Sequence, residues 1–188
     1  FLSLFYTGKP GAAAEPRTIF VPIDFLTIQT AINNATDGDT VFVYNGTYYE
    51  NLAVNKSIAL VGQDEGITVI DGSGVGTVIH VTANDVYISN FTVRNSGFSA
   101  LLSGISVNSD FVSVNESTLT SNYIGLSLAN SEGCAVRGCN ILNNSIGVSV
   151  QTSGNCIVEN SNLASNTEAG INLEYSSGIE IRKNNISE

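Results

Sequence analysis

The chain has 188 residues, a formal net charge of −10 and a pI near 4.3, a balance that excludes a nucleic-acid partner because too little in it could neutralise phosphates. It is 43% apolar but only 13% charged, so a continuous core is available while serine, threonine and asparagine supply the surface polarity. No apolar run is long enough to span a membrane, and the length suits one domain.

Methionine is absent, so Phe1 is not a translation start. Phe1-Leu-Ser-Leu-Phe-Tyr6 is apolar and alternating but lacks the basic region of a signal peptide. Together with the Gly-Lys-Pro-Gly turn it reads as an ordered N-terminal arm over residues 1–23, with Thr18-Ile-Phe-Val21 as a strand signal. Residues 24–36 read as a short capping helix. Ile28, Ala31, Ile32 and Ala35 fall at helical spacing, Asp24 or Thr27 can cap the start, and Asp37-Gly38-Asp39 stops it.

Short strands follow. Thr40 to Leu52 forms a first coil, Ser57-Ile-Ala-Leu-Val61 with Thr68-Val-Ile70 a second, and Val78 to Val93 a third. Residues 97–103 are an insertion carrying Phe98, Leu101 and Leu102. From residue 104 to 188 one unit repeats, opened by Gly104-Ile-Ser-Val107, Gly125-Leu-Ser-Leu128, Gly147-Val-Ser-Val150 and Gly170-Ile-Asn-Leu173. The intervals are 21, 22 and 23 residues, a solenoid period. Strict i, i+2 alternation marks strands with one buried face, and Gly, Ser and Asn between them form turns. Three strands in each unit predict an all-β, right-handed parallel β-helix over residues 24–188, its rungs about 4.8 Å apart.

The run Phe25-Leu-Thr-Ile-Gln-Thr-Ala-Ile32, Asp37-Gly-Asp-Thr-Val-Phe-Val43, Gly46-Thr-Tyr48, Glu50-Asn51 and Ile58-Ala-Leu-Val-Gly62 resembles the opening of pectin-lyase-like β-helix proteins. Pectin methylesterases and NosD-like proteins share that opening, and the later rungs resemble the parallel β-helix repeats of archaeal and bacterial surface proteins. The resemblance covers about residues 25–188 and implies the fold. Enzymes of this kind carry catalytic carboxylates, a glutamine pair and an arginine on later coils, often near a tryptophan. This chain has no tryptophan and no run matching those motifs.

Aligning the rungs nominates side chains. Arg137, Glu159 and Arg182 share one outward column, which reads as an ion ladder fixing register rather than a catalytic cluster. Asp110 and Glu132 share a turn column; a pair of carboxylates one rung apart could hold calcium or share a proton, but solvated turn residues are the simpler account. His80, the single histidine, sits in an outward column with Ser106, Ser127, Ser149 and Asn172, without partners for a metal. Cys134 and Cys156 stack inward, and Cys139 takes a turn position; all three read as buried thiols. N-glycosylation sequons open at Asn34, Asn45, Asn55, Asn90, Asn115, Asn143 and Asn185.

The expected function is that of a non-enzymatic extracellular or cell-surface structural protein needing no cofactor. It would assemble with itself through its open coil ends and N-terminal arm into a layer, sheath or filament. A second reading is a carbohydrate-binding or carbohydrate-active module with a polysaccharide partner, for which Tyr44, Tyr48, Tyr49 and Tyr87 are the candidate platform. A NosD-like metal-handling role would need several His or Met ligands, which one His and no Met do not supply.

Overall fold

The computed structural model describes residues 15–188, and the arm segment Phe1–Tyr6 lies outside them. Strand β1 (Thr18–Val21) and helix α1 (Ile28–Asn34) come first. The first full coil is β2 (Thr40–Val43), β3 (Gly46–Tyr48) and β4 (Leu52–Val54). The second is β5 (Ala59–Gly62), β6 (Thr68–Asp71) and β7 (Ile79–Val81), and the third is β8 (Tyr87–Ser89), β9 (Thr92–Arg94) and β10 (Ser103–Val107). Then come β11 (Ser113–Asn115), β12 (Thr118–Thr120) and β13 (Ile124–Ala129), followed by β14 (Ala135–Arg137), β15 (Asn140–Leu142) and β16 (Ile146–Gln151). The last described coils hold β17 (Ile157–Glu159), β18 (Asn162–Ala164) and β19 (Ala169–Glu174), then β20 (Glu180–Arg182) and β21 (Asn185–Ser187).

Strands stack by position in the coil into three parallel sheets. Sheet A runs β1-β2-β5-β8-β11-β14-β17-β20, sheet B runs from β3 to β21, and sheet C from β4 to β19. The parallel β-helix read from the repeat is therefore the fold. Register is one residue on one residue: Leu126 pairs with Val148, Ser127 with Ser149, Leu128 with Val150. Identical parity in every coil sends Ile105, Leu126 and Val148 inward as a fully buried column, each contributing about 1.5–3 kcal/mol by burial.

Single residues in the left-handed region turn the corners. Between sheets A and B they include Asn90, Glu116, Asn160 and Lys183; between B and C, Asn95, Ser121, Asn143 and Ser165. Asparagine tolerates this conformation because its short side chain bonds locally. Each corner interrupts the strand ladder, and the next residue repairs it from inside. The Oδ1 of Asn122 accepts from Ser96 N at 3.1 Å, that of Asn144 from Asn122 N at 3.0 Å, and that of Asn166 from Asn144 N at 3.1 Å. Their Nδ2 groups donate to the carbonyls of Val93, Leu119 and Ile141. Serine hydroxyls do the same work at the other corners, Ser153 accepting from Ser131 N and Ser161 from Cys139 N, both at 3.1 Å.

Two boundaries differ from the sequence reading. Thr18–Val21, assigned there to the arm, is the first strand of sheet A, because Ile19 and Val21 alternate inward in register with Val41 and Val43. The helix is shorter than residues 24–36. Asp24 accepts a hydrogen bond from Phe20 N at 2.7 Å and closes the turn after β1, which leaves Thr27 as the N-cap. Glu50 then accepts from Ile28 N and Gln29 N, both at 2.9 Å, and Lys56 donates to the carbonyl of Asn33 at 2.7 Å. Opposite charges at the two ends match the helix dipole and seat Ile28, Ala31 and Ile32 over the first coil.

Candidate functional surface

The outer face of sheet A carries the most varied chemistry. At its start the rings of Phe20, Phe42 and Tyr44 pack together, with centroids 6.0 Å apart for the two phenylalanines and 5.2 Å for Phe42 and Tyr44. Further along, Tyr87 stands 42% exposed between the small residues Ala59 and Ser113. A groove of about 520 Å³ opens beside it, lined by Tyr87, Ser113, Asn115, Glu116, Arg137, Gly138 and Asn160. The lining combines an exposed ring with amide, carboxylate and guanidinium groups. The four tyrosines nominated from the sequence do not form one platform. Tyr48 lies in the inward column of Ile70 and its hydroxyl donates to the carbonyl of Tyr44 at 3.0 Å, whereas Tyr49 is exposed after β3. Burial, then the charge of Glu50, raises the Tyr48 pKa.

The column Asn115, Arg137, Glu159, Arg182 follows on the same face. Arg137 Nε donates to Glu159 Oε1 at 2.7 Å, and Arg182 Nε donates to Oε2 at 2.8 Å. Hydrogen bonds from Arg182 and then Arg137 hold the Glu159 carboxyl below its usual range, and the same contact raises Arg182. Both carboxylate oxygens are occupied by the ladder, so Glu159 is poorly placed to take a proton from a substrate.

The other nominated groups are held in the same way. Asp110 Oδ1 accepts from Glu132 N at 2.9 Å, joining the two coils. The Glu132 carboxylate turns to the Asn155 amide one coil on. His80 is exposed on sheet C between Ala53 and Ser106. The three cysteines are buried and unpaired. Cys134 Sγ donates to the carbonyl of Ser109 at 3.5 Å, Cys139 Sγ to that of Arg137 at 3.4 Å and Cys156 Sγ to that of Gly154 at 3.2 Å. The neighbouring Cys156 thiol, then burial, pushes Cys134 far up, and burial pushes Cys139 up to about 11.

Two buried carboxylates were not singled out as sites from the sequence. Asp39 is 1% exposed and accepts from Arg17 N and Thr36 N, both at 2.9 Å. Those two backbone donors lower its pKa to about 2 against the opposing effect of burial. Asp71, 4% exposed, accepts from Arg94 Nε at 2.8 Å, Asn95 Nδ2 at 2.9 Å and Ser73 N at 2.9 Å. Burial opposes these bonds, yet the Asp71 carboxyl is lowered. The Asp37-Gly38-Asp39 run signals a helix stop in sequence, while its partner Arg17 lies 22 residues upstream.

Comparison with known proteins adds a family match and fold relatives. Residues 32–188 match the family model described as periplasmic copper-binding protein (NosD). A stretch of 84 residues is 36% identical to a cell surface glycoprotein of Methanothermus fervidus, spanning 43% of this chain and 14% of that protein. Among solved structures, a pectin methylesterase in complex with a hexasaccharide superposes with a TM-score of 0.62 at 16% identity, covering 82% of this chain and 56% of that one. A protein designated ORF18 of Geobacillus virus E2 superposes with a TM-score of 0.60 at 18% identity, covering 85% and 36%. The chain thus spans a small part of the glycoprotein and about half of the esterase.

Proposed function

From a chain that belongs to the family of NosD periplasmic copper-binding proteins over residues 32–188, we propose a glycosylated structural block of an external cell surface, joined to its neighbours through its coil ends. The observation that carries this reading is where the carboxylates point. Glu50 seats the helix, Asp39 and Asp71 tie coil to coil, Asp110 holds a backbone amide and Glu159 binds two arginines. These groups act as joints. The identity to a cell surface glycoprotein supports an outside location, and among the described residues no helix is long and apolar enough to cross a membrane.

The donors of this chain do not fit a copper centre. Copper takes imidazole, thiolate or thioether ligands converging on one point. His80 stands alone on sheet C, the sequence has no methionine, and the three thiols donate to backbone carbonyls inside the coil. Among the described residues no three His, Cys, Asp or Glu side chains converge.

Assembly is supported by the last described coil, whose strands β19, β20 and β21 form one edge of every sheet. Leu173, Ile181 and Ile186 are 44%, 41% and 52% exposed there, and a further coil stacked on them would bury all three. That coil can come from a continuing chain or a second molecule. Light scattering and electron microscopy test the second source: the protein should form polymers, and Ile181→Lys with Ile186→Lys should leave monomers. Deleting residues 1–8 tests the arm as the other half of the contact. A wild-type chain that stays monomeric at high concentration overturns assembly.

The groove beside Tyr87 favours a second reading, a polysaccharide-binding face. Pectic oligosaccharides should show no release of methanol or unsaturated uronide, with or without calcium. Release that Asp110→Ala abolishes would overturn the structural reading in favour of an enzyme.

A further inference from the structure

We infer that Asn143 is an N-glycosylation site and that its first sugars lie in a groove built against the inserted loop 97–102. This deepens the reading of the chain as a glycosylated surface block and rests on it. Sequon chemistry needs a free amide and a free hydroxyl two residues on, and the fold separates the seven sequons on that ground. The amide of Asn34 donates to the carbonyl of Thr30 at 2.9 Å, and that of Asn185 to Asn162 Oδ1 at 2.8 Å. The Thr92 hydroxyl of the Asn90 sequon donates to the carbonyl of Glu65 at 2.7 Å. Ser117, of the Asn115 sequon, is 1% exposed and donates to the carbonyl of Asn115 at 2.8 Å. Asn45, Asn55 and Asn143 remain, each exposed and, among the described residues, without a side-chain hydrogen bond.

Of these three, Asn143 lines a groove with an aromatic wall. It turns the B–C corner with φ of 55°. Both Asn143 and Ser145 line a groove of about 370 Å³ that spans successive coils beneath Phe98 and beside Tyr123. Asn95, Ser121 and Thr167 add amide and hydroxyl groups to the lining. Phe98 is 91% exposed, and its loop replaces a plain corner with an apolar ledge. A ring faced by pyranose C–H groups, with amides below to meet hydroxyls, is the lining an uncharged sugar fits. In the transfer itself, Asn143 Nδ2 attacks the anomeric carbon of a lipid-diphosphate-linked oligosaccharide. The N–C bond forms, the anomeric C–O bond breaks, the amide loses one proton, and the lipid diphosphate leaves.

The test is the full chain secreted from an N-glycosylating host, read by glycopeptide mass spectrometry and thermal melting. Asn143 should be occupied, and Ser145→Ala, which removes the sequon and leaves the left-handed Asn143 in place, should lower Tm by about 2–4 °C, the shift one well-packed aromatic contact gives in a chain of this size. Phe98→Ala should leave Asn143 occupied and erase that Tm difference, while changing nothing in the Ser145→Ala background. An unmodified Asn143 beside modified Asn45 or Asn55 overturns this site and leaves the glycosylated-surface reading standing. No modified sequon at all overturns both. An occupied Asn143 whose Tm contribution survives Phe98→Ala overturns the seat.

Discussion

Removing the Asn144 side chain should break the solenoid at one rung, and its hydrogen bonds set the size of the effect. Asn144 is 2% exposed. Its Oδ1 accepts from Asn122 N at 3.0 Å and Asn122 Nδ2 at 3.3 Å, while its Nδ2 donates to the carbonyl of Leu119 at 3.0 Å and to Asn166 Oδ1 at 3.1 Å. Asn144→Ala strands a buried backbone amide at Asn122 and a carbonyl at Leu119. The two lost bonds to backbone groups cost about 1 kcal/mol each net, and leaving a buried donor unmet adds about 1–3 kcal/mol, so the total is about 3–5 kcal/mol. That corresponds to a fall of about 10 °C in Tm. Asn144→Asp keeps the acceptor but aims a carboxylate at the Leu119 carbonyl and Asn166 Oδ1. It should cost more than alanine at neutral pH and recover on acidification, when the carboxyl regains a proton to donate. Urea denaturation followed by circular dichroism measures both, with Asn140→Ala, half-buried on the outer face of sheet B, as a control costing under about 0.5 kcal/mol. A cost below about 1 kcal/mol for Asn144→Ala, or no pH dependence for Asn144→Asp, refutes the ladder as a support.

Three further outcomes are expected. Val136→Asp should unfold the C-terminal coils, since Val136 is fully buried and a carboxylate there has no partner, whereas Ser127→Asp should be tolerated; equal damage in circular dichroism would mean inverted parity. Asp39, lowered to about 2 from 3.8, contributes stability that is present above about pH 4 and lost as pH falls toward about 2. The urea midpoint should therefore fall more between pH 5 and pH 2.5 in wild type than in Asp39→Asn, and equal falls would refute the role of that carboxylate. Glu159→Lys stacks three cations and should speed hydrogen exchange in β17 and β20; unchanged exchange there means the ladder does not hold the last coils.

The columns were legible in the sequence because in-register parallel stacking converts spacing along the chain directly into neighbours in space. The Arg137–Glu159–Arg182 ladder and the Leu126/Leu128 parity follow from that rule alone. Asn122, Asn144 and Asn166 did not stand out, since an asparagine after a strand signals a turn. A left-handed residue before each one flips the alternation and sends it inward. The proposed tyrosine platform failed on the same ground of parity: Tyr48 and Tyr49 are adjacent, so they cannot share a face. Asp39 was hidden by distance, one of its two backbone donors being Arg17 N, 22 residues upstream in the segment assigned to the arm.

Each coil is bonded only to the coils above and below it. Under tension such a chain behaves as a ratcheted reel. A coil of about 22 residues holds roughly 75 Å of contour within about 4.8 Å of axial rise. Pulled from its ends, the molecule yields one coil at a time, each release lengthening it about fifteenfold over the rise it surrendered while the remaining coils keep their grip. Stretch is thereby taken up in steps, coil by coil, rather than in one rupture of the whole core.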